Sequence, residues 1–205
     1  MSFKSRRAEQ TEATRRALVD AARALFAERG YADVATEEIV RQARVTRGAL
    51  YHHFRGKEDL FRAVFEEING ELAERAAQGA MAAQDPWEQM RTGAHAFLDA
   101  CLDPAVQQIA LLDAPAVLGW ETSRELDQQA GLGIAEAVIG AAMAAGAIQR
   151  GPLQPLAHLL LAALHEGAML IARAQDVDAA RDEVGRSVDL LLTGLRTRGG
   201  ERPDA

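Results

Sequence analysis

The chain has 205 residues, 48% of them hydrophobic but only 5% aromatic, with a single cysteine, Cys101. That length suits one medium domain or a small domain fused to a larger one, with an aliphatic core and no internal disulfide. The net charge of −7 hides an asymmetry: residues 1–57 hold 12 Lys and Arg against 7 Asp and Glu, a net +5, while the remainder carries −12. A basic head on an acidic body is the footprint of a nucleic-acid-binding module joined to a body that does not bind it. The basic stretch at the start has no apolar run behind it, so it does not read as a signal peptide. The longest apolar run, Leu156 to Leu164, is interrupted by His158 and falls short of the roughly 18 residues a membrane span needs. The expectation is a soluble cytoplasmic protein with no membrane partner.

Residues 1–10 are polar and basic and are expected to be a flexible arm. From about Thr11 the pattern is helical, with Leu18, Ala21, Ala22, Leu25 and Phe26 on one stripe. Gly30 after Arg29 is a stop signal, and Tyr31 and Val34 read as loop residues folding back onto that stripe. A short second helix starts near Thr36, a good cap, with Glu37 and Glu38 at the positive end of its dipole. Arg44-Val45 is a turn. Thr46 caps a third helix running to about His53, with Leu50 and Phe54 as its apolar positions and Gly56 as its breaker. A fourth helix runs from about Lys57 to Met81, weakened by Gly70 and Gly79. Asp85-Pro86 opens a fifth and Asp103-Pro104 a sixth, proline suiting the first helical position. The sixth spans about Ala105 to Asp113 and is disturbed by Pro115, with Gly119-Trp120 as a loop. A seventh covers about Ser123 to Ala147. Two strongly apolar helices follow, about Leu153 to Gln175 and Val177 to Leu195, then a flexible tail over 198–205. The fold class is all-α with about nine helices and no strand alternation.

Helices two and three with their turn fit a helix-turn-helix, in which one helix crosses the DNA backbone and the next enters the major groove. Ile39, Val40, Val45, Leu50 and Phe54 form the seat. Outward on helix three stand Arg47, Gly48, Tyr51 and His52. Arginine donates a bidentate pair to guanine, and Gly48 removes bulk where backbone nears the groove. Thr36, Tyr51, His53 and Lys57 are donors suited to phosphates. Tyr51 reads alternatively as core, and His52 as a solvated histidine.

Residues 11–68 resemble the TetR/AcrR family of regulators. The stretches carrying the resemblance are Ala22-Arg23-Ala24-Leu25-Phe26-Ala27-Glu28-Arg29-Gly30-Tyr31, Thr36-Glu37-Glu38-Ile39, Val45 through Phe54, and Lys57-Glu58-Asp59-Leu60. The resemblance implies an all-helical homodimer that represses genes until a small molecule binds its C-terminal domain. It implies DNA contact at Thr36, Thr46, Arg47, Gly48, Tyr51, His53 and Lys57, with a double-stranded operator as partner. The helix-turn-helix domain is expected over 11–57, with helix four as connector, and a ligand-binding and dimerisation domain over 58–197. Arg44 departs from the family, which often has glycine there. Either Arg44 adopts a left-handed conformation or the turn is tighter.

The body is less informative. The resemblance implies a ligand pocket, for which Phe97, Cys101, Ile109, Leu112, Trp120, Met143, His165 and Met169 are candidates, each also readable as ordinary core. The last two helices carry Leu156, Leu160, Leu164 and Ile171, then Val184, Val188, Leu191 and Leu195. The first of these helices is apolar nearly all round and needs cover on every side, which a twofold dimer supplies. His95, Cys101, His158 and His165 lack metal-ligand spacing, and no catalytic constellation is visible. No metal, no cofactor and no enzyme activity are expected.

Overall fold

The computed structural model describes residues 3–197, with side chains from residue 8 onward. Among the described residues the elements are helices, apart from an isolated antiparallel bridge between Ile148 and Arg196. In chain order they are α1 (Phe3–Arg29), α2 (Thr36–Gln42), α3 (Arg47–His53), α4 (Lys57–Met81), α5 (Pro86–Ala100), α6 (Pro104–Val106), a π-helical segment (Gln107–Asp113), α7 (Ala114–Val117), α8 (Trp120–Ala144), α9 (Leu153–Ala172) and α10 (Val177–Gly194). Taking 104–117 as one helical stretch gives the nine expected. α1 begins at Phe3, so residues 3–10 are its first turns and not a separate arm. The rest of that arm and the tail over 198–205 lie outside the described residues.

The described residues pack as two compact units, 3–69 with Asp103–Leu126, and Gly70–Leu102 with 127–197. This differs from the expected division at residue 57, because two segments of the supposed body complete the first unit. In α4, Leu60, Phe61, Val64, Phe65 and Ile68 are fully buried. Phe61 meets Phe26 and Tyr31 edge-on, with ring centroids 5.4 and 5.1 Å apart. Each such side chain contributes roughly 1.5–3 kcal/mol of burial, so the stripe on α1 gains its cover from α4 as well as from α2 and α3. Gly30, with φ of 75°, stops α1, its N–H donating to Phe26 O at 2.8 Å, the single bond of a left-handed helix cap.

The segment Asp103–Leu126 supplies the remaining cover of the first unit. Asp103 caps α6 by accepting from the Ala105 N–H at 2.8 Å. Pro115 disturbs this stretch, as the sequence suggested, without ending it. It sits in the first turn of α7, where a missing N–H costs nothing. The residues before it take the wider π geometry, with Ala114 N–H bonding Ile109 O five residues back. That widening fits the proline ring, which clashes with the carbonyl four residues earlier in a regular α-helix. Trp120, expected in a loop, is the first residue of α8, and the loop is Gly119 at φ 81°.

The second unit buries Trp87, Met90, Leu98, Ile139, Ala157, Ile171 and Leu192 in one core. α4 continues through Gly79 because α5 crosses there: a Cβ on Gly79 runs into Ala96 Cβ and comes within 2.9 Å of Thr92 O. α5 and α10 are also joined by a polar cluster. Arg181 Nε donates to Asp99 Oδ1 at 2.7 Å, and Arg181 Nη2 lies 3.1 Å from His95 Nδ1. Arginine has no acceptor, so His95 Nδ1 accepts and its Nε2–H donates to Asp189 Oδ1 at 2.8 Å.

The residues expected at a dimer interface differ in their exposure within this unit. Leu164, Ile171 and Val188 are buried in the core of this unit, and Leu156, Leu160, Val184 and Leu195 pack against it. Of the expected set only Leu191 is exposed, together with Leu159, Leu170 and Leu190, the last at 75%. A helix apolar all round has no phase that periodicity can read, so the sequence does not separate Leu164 and Ile171, which are buried, from Leu159 and Leu170, which are exposed. The same helix, Leu153–Ala172, has a mean hydropathy of 1.5 over its most apolar window and is long enough to cross a membrane by length and composition. Its apolar residues do not form one run of that length, since Gln154, Pro155, His158, His165 and Glu166 interrupt them. Ala157, Leu164, Gly167, Ala168, Met169 and Ile171 are buried within this unit.

Candidate nucleic-acid interface

α2 is capped by the backbone of Ala35, not by Thr36, which is the first helical residue. Glu38 supplies the missing acceptor: its Oε2 takes the Ala35 N–H at 3.1 Å and pairs with Arg29 Nη2 at 3.0 Å, fastening α2 to α1. Hydrogen bonding from Arg29, then from the Ala35 amide, holds the Glu38 carboxyl below its ordinary value. At the other end Arg44 has φ 56°, which answers the question left by the sequence. Val45 N–H reaches Val40 O at 3.0 Å and Arg44 N–H reaches Arg41 O at 3.2 Å, the two bonds of a Schellman motif whose left-handed position is usually glycine. The turn is of ordinary length, with arginine paying the strain. Thr46 then caps α3 as expected, its Oγ1 accepting from Ala49 N–H at 3.1 Å.

This geometry decides which side of α3 is free. Leu50 is fully buried and Phe54 nearly so, while Arg47, Gly48, Tyr51 and His52 are exposed. Tyr51, at 49% exposure, is not a core residue. Its ring lies 5.6 Å from Arg47 Cζ, and Arg47 Nη1 lies 3.0 Å from Glu37 Oε1. A hydrogen bond to Tyr51, with the charge of Glu37 behind it, raises the Arg47 guanidinium above its already high value. Within the chain, a Cβ on Gly48 meets only Thr46 Oγ1, at 3.9 Å, so internal packing does not demand glycine there. His53 is half-buried, and burial first, then His52 and Arg15, push it below its ordinary 6.5.

Two residues stand apart from the expectation. The Lys57 ammonium donates to Tyr31 O at 2.8 Å and Val34 O at 2.9 Å, and lies 4.0 Å from the Tyr31 ring centroid. Its side chain therefore holds the loop between α1 and α2, and what Lys57 presents outward is the first turn of α4, a helix N-terminus. Arg15, overlooked in the sequence, has its guanidinium 5.5 Å from the Phe54 ring centroid and acts on His53. Its position in the middle of α1 gave no local signal of this proximity.

Residues 18–64 match the family described as bacterial regulatory proteins, tetR family. Residues 87–195, more than half of the chain, match the tetracyclin repressor-like C-terminal domain. The chain belongs to the TetR family. A TetR-family transcriptional regulator from Pectobacterium atrosepticum is 36% identical, with a TM-score of 0.83, covering 93% of this chain and 97% of that one. The transposon Tn10 TetC protein of Escherichia coli is 27% identical over 143 residues, 68% of this chain and 70% of that protein. The A-factor receptor protein of Streptomyces griseus is 48% identical over 54 residues, of which the chain spans only 20% of the relative's length. This is a DNA-binding transcriptional regulator, and the matching proteins are regulators, not enzymes.

Of the candidate pocket residues, Ile109, Leu112 and Trp120 belong to the first unit and Phe97, Cys101, Met143, His165 and Met169 to the second. Ile109 is core of the first unit, and Leu112 and Trp120, also of that unit, are exposed, Trp120 at 54%. Cys101 and Met169 are buried in the second unit, and Phe97 and Met143 pack against its core. Burial first, then the charge of Asp127, pushes the Cys101 thiol up to about 12, which leaves it an inert apolar group at neutral pH. His165 is paired, its Nδ1 3.3 Å from Asp127 Oδ2. A groove of about 370 Å³ opens elsewhere in this unit, lined by Ala77, Met81, Gln89, Ile134, Ala137 and Val138 among others. Alanine and glycine make up five of its nine lining residues, and small residues spread along α4 and α8 leave no motif for a sequence reading to find. Among the described residues no group of three His, Cys, Asp or Glu is placed to hold a metal.

Proposed function

We propose that this regulator is a cytoplasmic repressor that binds a pseudo-palindromic operator as a homodimer and leaves it when a small molecule occupies the C-terminal domain. The observation that carries the DNA reading is the exposed row Arg47, Gly48 and Tyr51 on a helix anchored by a fully buried Leu50. Arg47 reads guanine through its fork of donors. Thr36, Tyr51, His52 and His53 donate to phosphates, as does Thr46, whose hydroxyl hydrogen stays available while its oxygen caps α3. Lys57 contributes its backbone, at the start of α4.

The dimer rests on Leu159, Leu170, Leu190 and Leu191, large apolar side chains left exposed on α9 and α10. An exposed apolar patch of this kind marks an interface, and a twofold pair places two recognition helices one DNA turn apart. The groove lined by Ala77, Met81 and Ile134 suits a compact apolar ligand with one polar group for Gln89. Release then requires that the ligand favour a head spacing that no longer fits the operator.

Selection of duplexes from a random pool by the purified protein tests the reading. A two-half-site palindrome is the expected product, and Arg47→Ala is expected to lose about 1–3 kcal/mol of affinity for it in a gel-shift titration. A pool that never converges, or an Arg47→Ala variant with wild-type affinity, refutes the assignment.

A further inference from the structure

Two adjacent carboxylates open α2 and have been put to different uses. Glu38 is turned inward to Arg29 and the Ala35 amide. Glu37 is turned across the turn, to the first residue of α3, its Oε1 3.0 Å from Arg47 Nη1. Both members of that pair are largely in solvent, at 60% and 64% side-chain exposure. Such a pair is worth little to the fold. Arg47 is held from its other side by Tyr51, so the guanidinium is placed by two contacts from two helices before any partner arrives.

A negative charge on this face is otherwise a liability. It lies within a Debye length, about 10 Å at 0.1 M salt, of any phosphate that Arg47 reaches, and it disfavours that contact. A repulsive element is useful where it acts more strongly against the wrong partner than the right one.

We propose that Glu37 is a specificity-determining residue: it keeps one end of the Arg47 fork, repels phosphates from it and leaves the remaining donors for a guanine edge. The proposal rests on the DNA reading above and names how that surface discriminates. The magnitudes allow it. An exposed ion pair is worth up to about fivefold in an equilibrium. A bidentate arginine–guanine pair is worth about tenfold to a hundredfold in discrimination and needs only two of the five guanidinium donors, so it forms with the Glu37 pair at Nη1 still in place. A single arginine–phosphate contact in solvent is of the same order as the ion pair, so Glu37 competes with it effectively. Non-cognate DNA therefore meets a guanidinium already engaged.

The test compares wild type, Glu37→Gln, Arg47→Ala and the double variant. Each is titrated against the duplex that wild type enriches from a random pool, and against a shuffled duplex of equal composition, across a salt series. Glu37→Gln is expected to tighten binding to the shuffled duplex about three- to fivefold and to leave the enriched duplex within about twofold. It is expected to steepen the salt slope on the shuffled duplex by about one unit, the mark of an added phosphate contact. Both effects are expected to vanish in the Arg47→Ala background. Equal tightening on both duplexes, persistence without Arg47, or no change at all overturns this proposal alone. A wild type that does not prefer its enriched duplex overturns the DNA reading, and the proposal with it.

Discussion

Asp113 Oδ2 accepts the backbone N–H of Tyr31 at 2.7 Å, while its Oδ1 accepts from Gln108 Nε2 at 3.1 Å. The carbonyl of the same tyrosine is bound by the Lys57 ammonium at 2.8 Å, and its ring packs on Phe26 and Phe61. The short loop between α1 and α2 is thus held by the last residue of the π-helical segment and the first of α4. This loop sets where α2 begins, and with it the seat of α3.

Asp113→Ala leaves a partly buried amide and the Gln108 side chain without their acceptor. Such a loss costs about 1–3 kcal/mol, and a chain of this size loses roughly 2–4 °C in melting temperature for each of them. Thermal unfolding followed by circular dichroism measures it. An unchanged melting temperature means that the carboxylate does not hold the loop.

Arg44→Gly is expected to stabilise the protein. Arg44 occupies a left-handed position at φ 56°, which costs an L-residue with a Cβ about 1–2 kcal/mol relative to the right-handed form. Glycine removes that strain but loosens the unfolded chain, so the net gain is about 0.5–1 kcal/mol. A lower denaturation midpoint in urea for the glycine variant contradicts the account of this turn.

Leu190→Glu is expected to separate the proposed dimer without unfolding the protomer. Leu190 is 75% exposed in the single chain, so the fold does not need it, whereas a carboxylate forced into an apolar interface costs about 2 kcal/mol or more. Sedimentation equilibrium should then show monomer with native helicity. Leu164→Glu should instead lower stability itself, since Leu164 is core. A Leu190→Glu protein that remains dimeric moves the interface elsewhere.

DNA affinity is expected to rise as pH falls from neutral to about 5.5, within the range where histidine titrates. His53 is held below 6.5 by burial, with His52 and Arg15 adding to the effect, so it is neutral in the free protein at pH 7. Phosphates favour its charged form, so binding takes up a proton, and the gain builds as pH falls from the bound-state value to the free-state value and levels off below it. His53→Gln should flatten the profile of the association constant. An identical pH dependence in that variant removes His53 from the interface.

The head was largely legible in the chain. Leu18, Ala22 and Phe26 repeat at helical spacing, Gly30 and Thr46 mark ends, and Leu50 and Phe54 mark the buried side of α3 by their four-residue separation. These are local signals, set by the backbone geometry of one helix, and they leave Arg47, Gly48 and Tyr51 outward with no help from the rest of the molecule. Lys57 shows the limit. A lysine at a helix start reads as a phosphate contact, and only packing brings the carbonyls of Tyr31 and Val34 to its ammonium. The body shows it more fully. α9 is apolar on all sides, so nothing local distinguishes Leu164, which is core, from Leu159, which is exposed. Nor does local pattern show that Asp113 binds Tyr31 across 82 positions of sequence. Short-range periodicity determined which residues form helices and which side of the recognition helix is free. The phase of a uniformly apolar helix, the π-helical turn before Pro115 and the partners of each charged group depend on contacts between distant segments, and only the tertiary structure decided them.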